Sequence, residues 1–163
     1  MGSQKKNYIL FFGIIFMSNF EVIIELPCKK NQLFDLTIKY ENYKEFFPNQ
    51  IKKIEMIKDS ANLKITKEIL VFKTILEKEI VQETEHIIKK PEYIESRIIS
   101  GPLKNSKIKI KFEDTLDFGT LITINGELKT NFKYKIITPI IKKYYKSISR
   151  SLFYKMNGIL MNT

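Results

Sequence analysis

From Phe20 the chain alternates: Phe20, Val22, Ile24 and Leu26 fall on one side, Glu21 and Glu25 on the other, and Pro27 ends the run. A period of two with one polar face predicts a half-buried strand. The period then lengthens. Leu33, Phe34, Ile38 and Tyr40 recur at helical spacing, so 30–40 is expected as a short amphipathic helix. Tyr40–Pro48 is expected as a second short helix, closed by its proline.

Strand patterns follow. Ile51, Ile54, Met56 and Ile57 mark one strand and Leu63, Ile65 and Ile69 the next, with a turn over 59–62. Residues 75–88 are expected as a third strand and 93–100 as a fourth, joined through Pro91 and ended by Gly101-Pro102. The clearest alternation is Lys107–Phe112, where Ile108, Ile110 and Phe112 require burial and the lysines require water. After a turn at 116–119, Ile122, Ile124 and Leu128 form the inward face of the last strand. Short links between successive strands predict an antiparallel meander.

The chain closes on a long helix. Ile137, Ile141, Tyr144, Tyr145, Ile148, Leu152, Met156 and Ile159 share one stripe, with Lys143, Lys146 and Arg150 opposite. Either Thr138 caps this helix with Pro139 at its first position, or the helix starts near Phe132 and Pro139 kinks it. Gly158 is expected to stop it. A long apolar helix on one face of a curved sheet encloses space, and space that side chains do not fill is room for an apolar ligand.

Composition narrows the chemistry. With 163 residues, 44% hydrophobic and 28% charged, the chain is expected to be one domain, neither disordered nor a membrane bundle. A single Cys and a single His exclude a zinc site built from Cys28 and His86, and any disulfide within the chain. No metal or cofactor is expected, and the compartment is expected to be reducing, hence cytoplasmic. The net charge of +10 points to polyanions, but only Arg97 and Arg150 carry the forked group that reads bases, so nucleic acid is not the expected partner. The charge is also uneven. No Asp or Glu follows Glu127, whereas eight basic residues do. The basic face Lys142, Lys143, Lys146 and Arg150 is therefore expected to suit an anionic membrane surface, with peripheral association there.

The N-terminus reads separately. The apolar run at 8–17, behind Lys5 and Lys6, is too short to span a bilayer. It lacks a small residue where a signal peptide would be cut, and Lys6 breaks an N-myristoyl pattern. Residues 1–17 are expected as an apolar extension, with either Met17 as the true start or 1–16 as a short interfacial anchor, ahead of a domain at 18–160.

Three stretches at the joints of this order resemble the START-like (SRPBCC, helix-grip) superfamily, and within it the coenzyme Q-binding and polyketide cyclase/lipid-transport group. Leu33-Phe34-Asp35 with Tyr40–Pro48 resembles that group's helix pair. Gly101-Pro102-Leu103-Lys104 resembles its Gly-Pro-Phe-Lys turn, and Lys107–Phe112 follows at the same distance. Lys44 replaces the usual Pro, and Ile110 stands where Trp is frequent. The resemblance implies an α+β helix-grip fold: a curved antiparallel sheet of about six to seven strands around a long C-terminal helix, with two short helices after the first strand. It also implies non-catalytic binding of an isoprenoid quinone or another lipid. The alternatives are a polyketide cyclase/dehydratase-type enzyme and a ribosome- or RNA-associated regulatory module.

The expected cavity or mouth residues are Phe46, Phe47, Phe72, Leu103, Ile108, Ile110, Phe112, Ile124, Ile141, Tyr145, Ile148 and Leu152. Leu70–Phe72 with Ile75 and Leu76 is the apolar run expected near the mouth. No residue is expected to be catalytic. His86 has no partner visible in sequence, Cys28 is expected to be a small buried thiol, and Glu77, Glu79, Glu83 and Glu85 a wet outer face. Arg97 is expected either to hold an anionic head group or to pair with a glutamate on the next strand.

Overall fold

The computed structural model describes residues 15–73 and 77–162. Seven strands form one antiparallel sheet in the order β1-β7-β6-β5-β4-β3-β2. They are β1 (Ile15–Leu26), β2 (Ile51–Asp59), β3 (Leu63–Lys73), β4 (Glu77–Lys89), β5 (Tyr93–Ser100), β6 (Lys107–Asp114) and β7 (Thr120–Asn131). Six run as the predicted meander, and β1 reaches back to pair with β7 along its whole length, from Ile15 opposite Asn131 to Leu26 opposite Thr120. The strand thus begins inside the apolar run; residues 1–14 and 74–76, including Ile75 and Leu76 of the expected mouth, lie outside the described residues.

Two short helices, α1 (Lys30–Thr37) and α2 (Tyr43–Phe46), flank a 3-10 turn at Tyr40–Asn42. Leu33 and Phe34 of α1 are completely buried. Thr37 donates its hydroxyl to Leu33 O (2.7 Å), and Tyr43 donates its own to Thr37 O (2.6 Å), which ties the second turn to the first. The helix expected over 30–40 therefore stops at Thr37, and the next turn is set by that tyrosine bond.

At the C-terminus, residues 132–137 form a 3-10 segment and α3 spans Thr138–Met161, with Pro139 in its first turn, where a missing N–H costs nothing. Thr138 does not cap the helix. Its hydroxyl faces back, donating to Tyr134 O (2.9 Å) and bonding Thr130 Oγ (2.8 Å), which anchors the helix start to β7. Gly158 does not stop the helix, which runs three residues further; a side chain there would meet nothing, so no local constraint demands the break.

The core lies between the inner sheet face and α3. Val22, Ile94, Ile122, Ile124, Leu128, Phe153 and Met156 are each at most 1% exposed. Phe112 packs edge-on between Phe34 (5.0 Å) and Phe153 (6.0 Å). At Gly126 a Cβ would sit 2.1 Å from the Phe20 ring, so glycine lets that ring lie against β7 and reach Tyr145 of α3. Gly101 takes a positive φ of 92°, the left-handed backbone that the Gly-Pro turn requires. With seven antiparallel strands gripping a long C-terminal helix, the architecture is the helix-grip fold.

Candidate functional site

On β3 and β4 both faces carry polar residues, and the parity of the strands decides which go inside. Thr66, Glu68 and Leu70 of β3 and Gln82, Thr84 and His86 of β4 point toward α3, while Ile65, Ile69, Val81 and Ile87 point away. Antiparallel register places Glu68 opposite Gln82, Thr66 opposite Thr84, and His86 opposite Ser96 of β5. The result is a polar floor to an otherwise apolar cavity of about 180 Å³. Its walls come from Tyr40 and Tyr43, Phe47, Ile51 and Ile54, Ile98, Ile108 and Ile110, and Tyr144, Tyr145, Ile148 and Leu152 of α3.

Glu68 is the centre of the floor. Thr66 Oγ donates to its Oε1; Gln82 Nε2 (2.7 Å) and Thr84 Oγ (3.0 Å) donate to its Oε2. These three bonds favour the carboxylate, but burial outweighs them and holds its pKa above the usual range. His86 is bonded at both ring nitrogens, to Thr66 Oγ (2.9 Å) and Ser96 Oγ (2.8 Å), and stacks on Tyr40 with centroids 3.9 Å apart. Burial, aided by the Lys64 charge, lowers its pKa to about 3, so the ring is neutral. The tautomer follows. Thr66 spends its only hydroxyl proton on Glu68, so His86 Nε2 must donate to it, and Nδ1 accepts from Ser96.

Not every polar atom here is satisfied. Tyr40 Oη, Tyr145 Oη and Gln82 Oε1 are buried without a hydrogen-bond partner among the described residues. Burial, with the Glu68 charge adding to it, pushes both phenols well above their ordinary range, and the Gln82 amide near Tyr145 only tempers the shift. Tyr43 is raised for the same reasons, and burial alone takes Tyr144 to about 12. Leaving such groups unpaired is costly, so native proteins keep few of them without a use.

Of the residues expected from sequence, Phe47, Ile108, Ile110, Tyr145, Ile148 and Leu152 line this cavity. The other six lie elsewhere. Phe72 packs on Tyr144 (4.4 Å), and Phe112, Ile124 and Ile141 fill the core. Leu103 is buried in the turn after Gly101, and Phe46 packs against the core edge at the end of α2. Arg97 is at the outer surface, away from the cavity, and donates to Glu85 (2.9 Å), the pairing with a neighbouring-strand glutamate that was one of its two expected roles. Glu79 is exposed and Glu83 and Glu85 are half-buried on the same outer face; the Glu77 side chain lies outside the described ones. Cys28 is buried, and burial raises its thiol pKa, which keeps it protonated.

Sequence reading missed Glu68 and its partners Thr66, Gln82 and Thr84, and Ser96, the partner of His86. A signal was present: Gln82-Glu83-Thr84-Glu85-His86 is polar at both parities, and one of those faces has to be covered. Among the described residues no group of His, Cys, Asp and Glu is arranged to hold a metal ion, and no helix is long and apolar enough to cross a membrane.

No protein-family model matches the sequence, and neither does any curated protein. Solved structures do match in fold. The Zhui aromatase/cyclase from Streptomyces sp. R1128 aligns with TM-score 0.75 at 9% identity, over 90% of this chain and 94% of its own. A START superfamily protein from Mycobacterium smegmatis aligns with TM-score 0.69 at 11% identity, over 88% and 97%. Norcoclaurine synthase from Thalictrum flavum, in complex with dopamine and hydroxybenzaldehyde, aligns with TM-score 0.71 at 12% identity, over 91% and 88%. The chain therefore has the START-like fold.

Proposed function

We propose that this protein binds a small hydrophobic molecule non-covalently in the cavity between sheet and α3, for sequestration or transfer. One observation carries the reading: an apolar cavity of about 180 Å³ whose lining keeps three polar atoms unpaired. An engineered protein cavity of about 150 Å³ accepts benzene, so this volume suits one ring with a short substituent. An isoprenoid quinone or acyl lipid would seat its head here and pass its tail out of the cavity. Titration with benzyl alcohol, followed by ligand-observed NMR, tests the reading. Ile148→Phe, which fills the cavity from α3, should abolish uptake while the thermal transition stays cooperative; uptake unchanged by Ile148→Phe, or none by the native chain, refutes it.

A second reading, a cyclase/dehydratase-type enzyme, draws on the proton-bearing chain Glu68–Thr66–His86–Ser96, which joins a buried carboxyl to a neutral imidazole. It requires turnover of an aromatic precursor that Glu68→Gln abolishes. We further propose that the outer side of α3 rests on an anionic membrane surface. Beside Lys142, Lys143, Lys146 and Arg150, the 3-10 segment leaves Phe132 at 68% and Ile136 at 89% exposed, which favours shallow insertion next to charge.

A further inference from the structure

The cavity contains a carboxyl group without a basic partner. Glu68 is the one acidic lining residue, and no Lys or Arg lines the cavity among the described residues. Three donors already point at its oxygens, which leaves about one lone-pair site open toward the cavity. Gln82 Oε1, its cross-strand neighbour, is a second acceptor with no donor. Around them stand the rings of Tyr40, Tyr43, Tyr144 and Tyr145. What this constellation lacks is N–H donors and positive charge. A neutral apolar ligand would leave the carboxylate uncompensated, and an anion would be repelled. An ammonium group supplies donors to Glu68 and Gln82 and presents its positive surface to the negative ring faces.

We infer that the cavity selects a small ammonium ligand, a protonated primary amine on an apolar body, with its nitrogen between Glu68 and Gln82 Oε1 and its body against the tyrosines and Ile148. This rests on the cavity being a binding site at all, and it narrows the ligand class. In the empty protein the raised carboxyl pKa supplies the alternative, a proton. Binding an ammonium then exchanges that proton for the ligand cation.

The groups facing Glu68 set the pH dependence. From β4 and β5 they are Gln82, Thr84, neutral His86 and Ser96; from the helices, Tyr40, Tyr43, Tyr144 and Tyr145, all raised and so uncharged near neutrality. Lys64 acts on His86 from β3, where it is the cross-strand neighbour of the histidine. Glu68 is thus the cavity group whose proton competes with the ligand, and ammonium affinity should rise with pH as the raised carboxyl releases it.

Benzylammonium and benzyl alcohol differ by little more than the charge and form the test pair. At about pH 7.5 the native chain should bind benzylammonium at least about tenfold more tightly, the margin expected when a neutral hydrogen bond is replaced by a charged one. Glu68→Gln should lose that preference. In the native chain, lowering the pH toward the ordinary carboxyl value of 4.5 should weaken the amine and leave the alcohol unchanged, a readout that needs no variant. Equal affinities, an amine preference that survives Glu68→Gln, or the opposite pH trend would overturn the inference. Alcohol binding alone overturns it while leaving the cavity as a ligand site; if neither probe binds, both readings fall.

Discussion

His86 is the single histidine of the chain, so its contribution to stability is separable from every other group. Buried and bonded at both nitrogens as a neutral ring, it is held at about 3 against an ordinary 6.5. The unfolded chain takes up a proton below pH 6.5 that the native protein refuses. The stability it contributes is therefore fully present above 6.5 and is lost as pH falls toward 3. The slope is at most about 1.4 kcal/mol per pH unit, so roughly 2 kcal/mol disappears between pH 6.5 and 5. Glu68 works the other way. Its raised carboxyl keeps a proton that the unfolded chain releases above the ordinary 4.5, so it favours folding on the acid side. Urea unfolding of the native chain and of His86→Gln, each at pH 7 and pH 5, isolates the histidine. The native chain should lose about 2 kcal/mol more than the variant on acidification. Parallel losses would show that the imidazole charges inside the folded protein, and the hydrogen-bond assignment around Thr66 would be wrong.

Two other outcomes follow from packing and charge. Gly126→Ala places a methyl 2.1 Å from the Phe20 ring, so the ring must move off β7 and away from Tyr145; thermal denaturation should register a loss of about 1–3 kcal/mol, and no loss would mean that Phe20 repacks freely. For the proposed membrane face, co-sedimentation with vesicles containing anionic lipid should fall with salt, with Lys142→Glu/Lys143→Glu and with Ile136→Asp; binding indifferent to lipid charge would sink that proposal.

The fold was legible because its strongest signals coincide with its geometry. Lys107–Phe112 alternates without error, and β6 runs Lys107–Asp114 with Phe112 buried. The apolar stripe of α3 is buried at Ile141, Leu152 and Met156, all at most 6% exposed, half-buried at Ile137, Tyr144, Tyr145 and Ile148, and exposed at the last turn, where Ile159 is 44% exposed. Half of the expected residues line the cavity, Ile108 and Ile110 placed by strand parity and Tyr145, Ile148 and Leu152 by the helical stripe. Parity alone does not separate a residue that fills the core from one that lines a cavity, so Phe112 and Ile124 were grouped with Ile108 and Ile110. The polar floor was hidden for a different reason. On β3 the apolar Ile65 and Ile69 face outward and Thr66 and Glu68 inward, the reverse of what burial of apolar surface alone would choose. Two irregularities in β2, at Ile51/Lys53 and Met56/Lys58, likewise break the period of that strand, and no periodicity rule reads a bulge.

That inverted strand bears on what the cavity is for. If β3 were shifted by one residue, Ile65 and Ile69 would turn inward and Glu68 outward, but Leu70 and the buried Phe72 would turn outward and Lys67 inward. The chain instead holds the carboxyl inside with three donors from Thr66, Gln82 and Thr84, and two of those donors have no other bonding role than to Glu68 and to one another. Register is secured from the far side, where β4 offers its own polar face to match: Gln82 opposite Glu68, Thr84 opposite Thr66, and His86 opposite Ser96 on β5. Two adjacent strands and the edge of a third thus share one polar interior, while Tyr40 and Tyr145 reach it from the helical side with hydroxyls left unpaired. A purely structural floor would gain by closing these last bonds on itself. Bonds left open toward an otherwise apolar space are the arrangement that a ligand with a polar end completes.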